Sequence, residues 1–481
     1  MRRNLLVFGA AVFLVGGALT YGLQAGAHGW FPIPWLEAVG LWSNARPQGD
    51  KGTASKPKQP RIGMWHKAPA RQDDALAVPP ALADLANLPY LAGSTTAPET
   101  ERVTVFDQAA AHPGLNLVVS GHEASAELQD MRGNVLHSWS SSFGHLWPDG
   151  LPFKEAHVHR TFWRRAHVYP NGDLLAIYEG FALIKLNRYS NLLWTYPHRA
   201  HHDLQVMPDG RIYTLIRQWR DDFTEQGRDG PPLFLLSGYL DDQVVVLSPE
   251  GQEQQRVSIL RCFENSEYAS TLMMAPKGHD VLHANTLEVM DGSLVDLHPM
   301  FAKGNVLVSL LTTHTVAMLD LERETVVWAA PGIARHQHQP TALANGNILI
   351  FDNMGDGVFS RVVEIDPHTL EIRWLYKSTP ENPFSSYRLG SCQRLSNGNT
   401  LITESVAGRA FEVTPDKGTV WEYVNPHRAG EHEEFIATLF EVIRIEPDYF
   451  GDDFAGFVGF RGGDNAIELG GVRALIEGRG K

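Results

Sequence analysis

The sequence predicts an all-β fold, a six-bladed β-propeller preceded by a single N-terminal transmembrane helix. Three observations carry this. A tryptophan recurs at the end of short β-like runs, and glycine turns recur in step with it. Ahead of both, an uncharged apolar run stands behind a basic N-terminus.

Met1-Arg2-Arg3-Asn4 precedes nineteen residues, Leu5 to Leu23, without a charge. At helical rise that length nearly matches the hydrocarbon thickness of a bilayer. The arginines predict that residues 1–4 stay cytoplasmic and the bulk crosses the membrane. Ala25-Gly26-Ala27 offers a cleavage site as the competing reading, and Arg2-Arg3 is a weak pointer to twin-arginine export. The run exceeds a usual signal core, so an uncleaved anchor over 5–23 is expected. Trp30, Phe31, Trp35 and Trp42 fit an interfacial belt, and about 45–72 is rich in Pro, Lys, Gly and Ser without periodicity. We therefore divide the chain into 1–4, the anchor 5–23, an interfacial segment and linker 24–81, the propeller 82–450 and a tail 451–481.

From Val103 on, short β-like runs alternate with Gly, Asn, Asp and Pro. Tryptophan closes a run at Trp139, Trp194, Trp328, Trp374 and Trp421, the last three 46 and 47 residues apart. The gap between Trp194 and Trp328 has room for a unit lacking the tryptophan, with Val244 to Val257 as its candidate. Turns at Gly172, Gly210, Gly292, Gly346 and Gly398, with Pro113-Gly114 for the first unit, give six; seven is the alternative count. A period in the forties with four short strands is the mark of a propeller blade, whose neighbours must bury each other's faces. Phe435 to Pro447 reads as a strand that helps close the ring.

In such a ring the innermost strands line the axis, so equivalent positions converge there. Eight residues before the turn glycines stand Arg164, His202, Ala284 beside His283, His338, and Gly390 just after Tyr387-Arg388. Imidazoles and guanidiniums around a partly desolvated mouth favour a compact oxyanion such as sulfate or phosphate. Imidazole can also act as a nucleophile, with cations holding the charge of a transferring group. Metal binding by imidazole is the competing chemistry; only His202 has an adjacent carboxylate, Asp203, and no metal or cofactor is expected.

The composition sets the outer limits. Of 481 residues 43% are hydrophobic and 20% charged, so the chain folds. The formal net charge of −14 argues against a nucleic-acid partner. Cys262 and Cys392 make no metal-ligand pair; a bridge and two buried thiols are both open.

Several stretches resemble the bacterial arylsulfotransferases, in particular the arylsulfotransferase-like six-bladed propellers. They are Pro113 through His122, His201-His202-Asp203, His283-Ala284-Asn285, Gln337-His338-Gln339-Pro340, Asn345 through Asn353, and Gly390 through Asn399 with Trp421-Glu422-Tyr423. The resemblance covers roughly Leu88 to Pro447 and implies ping-pong transfer of a sulfuryl group between phenols, without a nucleotide donor. By that resemblance His338 is the nucleophile that becomes a sulfohistidine. His202 and His283 bind the sulfuryl oxygens and assist the leaving phenolate. The partners implied are an aryl sulfate and a phenol, in the periplasm. One departure stands out: the family's arginine after the second histidine, in a Ser-x-Arg setting, is Leu311 here. Arg388, Arg335 and His314 are the candidate substitutes. A non-catalytic propeller that binds a ligand or protein at its mouth is the alternative.

His336, two residues from His338, shares its strand face if pairing is regular and is a candidate wall of the site, as are Tyr387 and Arg388. Arg164 and His167 read as solvated or packing residues.

Overall fold

The computed structural model describes residues 63–67, 102–148, 160–221, 238–276, 279–355, 357, 359–430, 433 and 435–459. The segment 57–481 forms one compact unit. The expected anchor 5–23 lies outside the described residues, and among those described no helix is long and apolar enough to cross a membrane.

The described chain is all-β and propeller-like, built on six antiparallel sheets of four or five strands. Taken from the innermost strand outward, the second sheet is Arg165–Val168, Leu174–Tyr178, Ala182–Leu186 and Leu192–Tyr196. The third is Ala200–Val206, Ile212–Arg220, Tyr239–Leu247 and Glu253–Ser258. The fourth runs from Ala284–Val289 through Val306–Leu310 and Thr315–Asp320 to Thr325–Pro331. The fifth runs from His338–Ala342 through Ile348–Asp352 and Arg361–Ile365 to Ile372–Lys377.

The first and last sheets are each completed from the other end of the chain. Leu439–Ile445 supplies the innermost strand of the first sheet, beside Leu115–Ser120, Ser125–Gln129 and Val135–Ser140. Arg102–Phe106 adds an outer strand to the sixth, beyond Ser391–Arg394, Thr400–Glu404, Arg409–Val413 and Thr419–Val424. A small sheet joins Trp65–Lys67, inside the stretch read as linker, to Phe435–Ala437. A short helix, Asp452–Phe457, seats the buried Phe454 ring over Gly172. Gly172 has φ +84°, and a Cβ there would stand 2.3 Å from that ring.

Burial explains why the strands do not all alternate. Each sheet packs on both faces, so second strands such as Val306–Leu310 and Ile348–Asp352 are buried throughout and read as continuous apolar runs. Outermost strands such as Leu192–Tyr196 and Ile372–Lys377 are half exposed. Apolar cores fill the contacts between consecutive sheets, and Val118 and Met131 of the first meet Leu401, Val420 and Trp421 of the sixth.

A second set of contacts runs around the outer strands. Trp194, Trp328, Trp374 and Trp421 each donate the indole N–H to a carbonyl in the next sheet's outer turn, those of Pro249, Pro367, Pro415 and Met131. In the third sheet, which has no tryptophan at this position, Gln255 Nε2 donates to the Leu321 carbonyl at 3.2 Å. In the first sheet His137 Nε2 donates to the Arg188 carbonyl at 2.8 Å. Trp139, two residues on and facing the same side, donates instead to the Gly172 carbonyl. The repeat position there is His137, which a search for tryptophan cannot find. Cys262 and Cys392 are both free and buried.

Candidate functional site

At one end of the sheets, where inner strands begin and second strands finish, lies a cavity of about 830 Å³. Four arginines reach it, Arg164, Arg199, Arg217 and Arg388, with His202, His279 and His283. Glu179 and Asp280 are the carboxylates on the wall, and Phe162, Trp219, Leu240, Leu389 and Phe440 supply its apolar side. Four guanidiniums against two carboxylates make the cavity one for anions. The apolar and aromatic side suits an aromatic ring.

Much of this wall has backbone in the left-handed region. Arg199, His202, His283 and Leu389 have φ of 61°, 56°, 51° and 60°, and His314, His336 and Gln339 nearby share it. Such conformations cost energy in non-glycine residues and persist where surrounding structure enforces them. Here they turn side chains out of the strand alternation and toward the cavity. Register breaks follow between His201 and Leu204, between Ala284 and Thr286, and between His338 and Thr341.

Three imidazoles share one pattern: Nδ1 is held by protein and Nε2 has no hydrogen-bond partner among the described residues. His338, 3% exposed, stands against Asn353 Oδ1 at 2.8 Å and the His336 carbonyl at 3.0 Å. Both are acceptors, so Nδ1 carries the proton and Nε2 keeps its lone pair. Asn353 is oriented in turn, its Nδ2 donating to the Ser386 and Leu389 carbonyls at 2.6 Å each. Burial and the nearby Arg164 charge hold the His338 pKa down to about 3, so the ring is neutral.

His202 Nδ1 lies 2.9 Å from His201 Nδ1 and 3.4 Å from Arg217 Nη2, with Glu179 Oε1 at 3.3 Å. Arg217 can only donate and Glu179 can only accept; with Nδ1 accepting from Arg217, the ring's proton sits on Nε2. Burial, then His283, His201 and Arg164, push the His202 pKa well down. His283 Nδ1 pairs with Asp280 Oδ2 at 2.5 Å, and its ring meets His202 edge-on at 5.1 Å between centroids. Although burial raises the Asp280 carboxyl, the His283 bond and charge bring it below its usual value.

Of the residues singled out from the sequence, His202, His283 and Arg388 line the cavity. His338 lies outside that lining; its environment feels both Arg164 and His283. Tyr387, half exposed, accepts a hydrogen bond on its hydroxyl from Arg388 Nη2 at 2.8 Å. His336 precedes its strand and turns to His314, ring centroids 5.1 Å apart, away from the strand face it was expected to share with His338. Sequence reasoning missed Glu179, Arg217, Asp280 and the cavity-facing place of Arg164. None of these has a motif, though Asn353 closes the Phe351-Asp352-Asn353 run that was singled out.

A metal ion is the competing occupant. Among the described residues, Glu179, His201 and His202 gather ligand atoms within 4.8 Å of one another, whereas His202, His283 and His338 do not. Arg217 stands on the same His202 nitrogen and 3.6 Å from Glu179, so a fixed positive charge already occupies that corner. The surrounding charge favours an oxyanion.

Comparison with known proteins bears on this. A family model described as arylsulfotransferase (ASST) matches residues 177–426, just over half of the 481-residue chain. No curated protein matches the chain. Among solved structures, a protein of unknown function from Bacteroides caccae is 11% identical at a TM-score of 0.44, covering 69% of this chain and 98% of its own. The β-propeller domain of Myceliophteria thermophila Cps50 (Swd1) is 10% identical at 0.40, covering 71% and 97%. A streptogramin B lyase is 11% identical at 0.38, covering 73% and 96%. The matched stretch contains His202, His283 and His338 and leaves out Arg164, and on the strength of that match the chain belongs to the arylsulfotransferase family.

Proposed function

We propose that the six sheets are the blades of a six-bladed propeller and that its mouth transfers a sulfuryl group from an aryl sulfate to a phenol through His338. The observation that carries this reading is His338 itself: a buried, neutral imidazole whose Nδ1–H is committed to Asn353 and whose Nε2 has no partner among the described residues. That is the tautomer a nucleophile needs.

Nε2 of His338 attacks sulfur, an N–S bond forms, and the S–O bond to the aryl group breaks. The phenolate leaves with a proton from His283, whose imidazolium the Asp280 carboxylate stabilises at 2.5 Å. The Nε2–H of His202 donates to a sulfuryl oxygen as charge builds there. In the second half the acceptor phenol gives its proton to neutral His283 and attacks sulfur. The N–S bond then breaks and His338 returns to its neutral state. The N-terminal run 5–23 would hold this domain at the membrane, on the periplasmic side.

A second reading, a propeller that binds a ligand at the same cavity without catalysis, is favoured by Leu311, which stands where the family has its arginine. Its backbone N–H donates to the His283 carbonyl at 3.2 Å, so an apolar side chain starts beside that histidine. The two readings separate with 4-nitrophenyl sulfate and a phenol acceptor, using the full chain and its His338→Asn variant. Transfer requires phenolate release and sulfated acceptor from the full chain, both lost in the variant. Binding of the sulfate without release, on several donors, establishes the second reading.

A further inference from the structure

Arg164 and Arg165 are neighbours with opposite fates. Arg165 Nε pairs with Asp203 Oδ1 at 2.8 Å, its Nη1 reaches Gln339 Oε1 at 3.3 Å, and Glu441 takes the same Nη1. One guanidinium thus ties the inner strands of the first, third and fifth sheets to the second, and its charge is answered.

Arg164 is 8% exposed and lines the cavity. Its backbone N–H donates to the Ile177 carbonyl at 2.8 Å, and its guanidinium lies over the Phe440 ring at 5.4 Å. Among the described residues no carboxylate comes within 4.0 Å of that guanidinium and no acceptor takes a hydrogen bond from it. Glu179 and Asp203 act on it only from farther away. A guanidinium is charged at every working pH, and a buried charge without a partner is costly unless something else answers it. The open direction is the cavity, where its field falls on His202 and His338 alike.

We infer that Arg164 is the fixed cation of this site: its guanidinium grips two oxygens of the sulfate or sulfonate group of an aryl anion, from the second sheet, in place of the arginine absent at Leu311. The inference rests on the sulfuryl-transfer reading for its catalytic meaning, but not for the binding itself. The planar fork suits two oxygens of one tetrahedral anion, and Phe440 beneath it keeps water from one face.

The test is calorimetric titration of the full chain with 2-naphthalenesulfonate, whose C–S bond cannot be transferred. The chain should bind it, and Arg164→Gln should lose about tenfold or more in affinity. Affinity within twofold of the unaltered chain in Arg164→Gln, or no binding by the unaltered chain, overturns the inference. If Arg164→Gln does not fold, Arg164→Lys replaces it. An ammonium cannot fork two oxygens, so a loss of about fivefold is expected, and undiminished affinity overturns the inference. Should the chain bind the sulfonate through Arg164 yet transfer nothing from any aryl sulfate, the inference stands and the transferase reading falls. Adding Leu311→Arg to Arg164→Gln should restore part of the lost affinity.

Discussion

The outer strands and the cavity wall treat polar groups in opposite ways. Around the outside, His137, Trp194, Gln255, Trp328, Trp374 and Trp421 each donate to a carbonyl of the next sheet, so one arrangement repeats and closes. At the cavity and at His338 beyond its lining the repeat gives way to left-handed backbone and, among the described residues, to a guanidinium without a counter-ion and three imidazoles whose Nε2 has no partner. Buried polar groups are ordinarily satisfied, and local rules are broken where function requires it. On the proposed function the outer strands carry stability and the cavity carries the chemistry, so substitutions in the two regions should fail in different ways.

The largest effect is expected at Asn353. Asn353→Leu removes the acceptor that fixes His338 Nδ1–H and should lower sulfuryl transfer about a hundredfold. It also leaves the Ser386 and Leu389 carbonyls without its amide, at about 1–3 kcal/mol of stability. Steady-state kinetics and denaturant unfolding measure the two losses. Asn353→Asp sharpens the point. A carboxylate there raises the His338 pKa from about 3. Transfer that is insensitive to His338 protonation from pH 7 down to 5 should then decline as pH falls through the new value.

Next is Trp421→Phe, which deletes the indole donor to the Met131 carbonyl inside the contact between the sixth and first sheets. About 1–3 kcal/mol of stability should be lost, with sulfonate affinity unchanged. An altered affinity at full stability would break the division between the regions.

Acid should destabilise the fold through buried neutral histidines. Burial, then the Arg388 charge, holds His66 at about 4, and burial with the stacked His427 holds His122 at about 3. His167 stands at about 4 through burial and then Arg165, and His338 at about 3. Between these values and the unfolded value of 6.5 the unfolded chain binds more protons. The stability these histidines contribute is therefore complete above pH 6.5 and is lost as pH falls toward 4. The melting temperature at pH 5 should lie below that at pH 7.

The smallest effect has the opposite sign. Burial raises Glu288 to about 8, so between 4.5 and 8 the folded state holds the extra proton and stability falls as pH rises. Glu288→Gln removes that penalty, so its gain in melting temperature should be larger at pH 8 than at pH 5. An equal gain at both would contradict this.

The outer ring was legible because an indole is rare and its spacing regular. Two members escaped, since Gln255 supplies an equivalent N–H and His137 shares a face with Trp139 two residues on. The turn glycines aligned Arg164, His202, His283, His338 and Arg388 because inner-strand register follows the turn. The weight of Arg164 was not legible: a sequence shows a cation but not the absence of its partner, and Arg165 beside it is the same residue type fully paired. His336 was placed on the His338 face by strand alternation. Alternation fails there because the strand begins only at His338 and φ of His336 is 52°.

The most direct test of the account is a rapid quench of the full chain with 4-nitrophenyl sulfate and no acceptor, followed by peptide mass spectrometry under mildly basic conditions. A burst of about one phenolate per chain and a sulfuryl adduct on the peptide bearing His338 are expected, both absent in His338→Asn. Bound sulfate ester with neither burst nor adduct would contradict it.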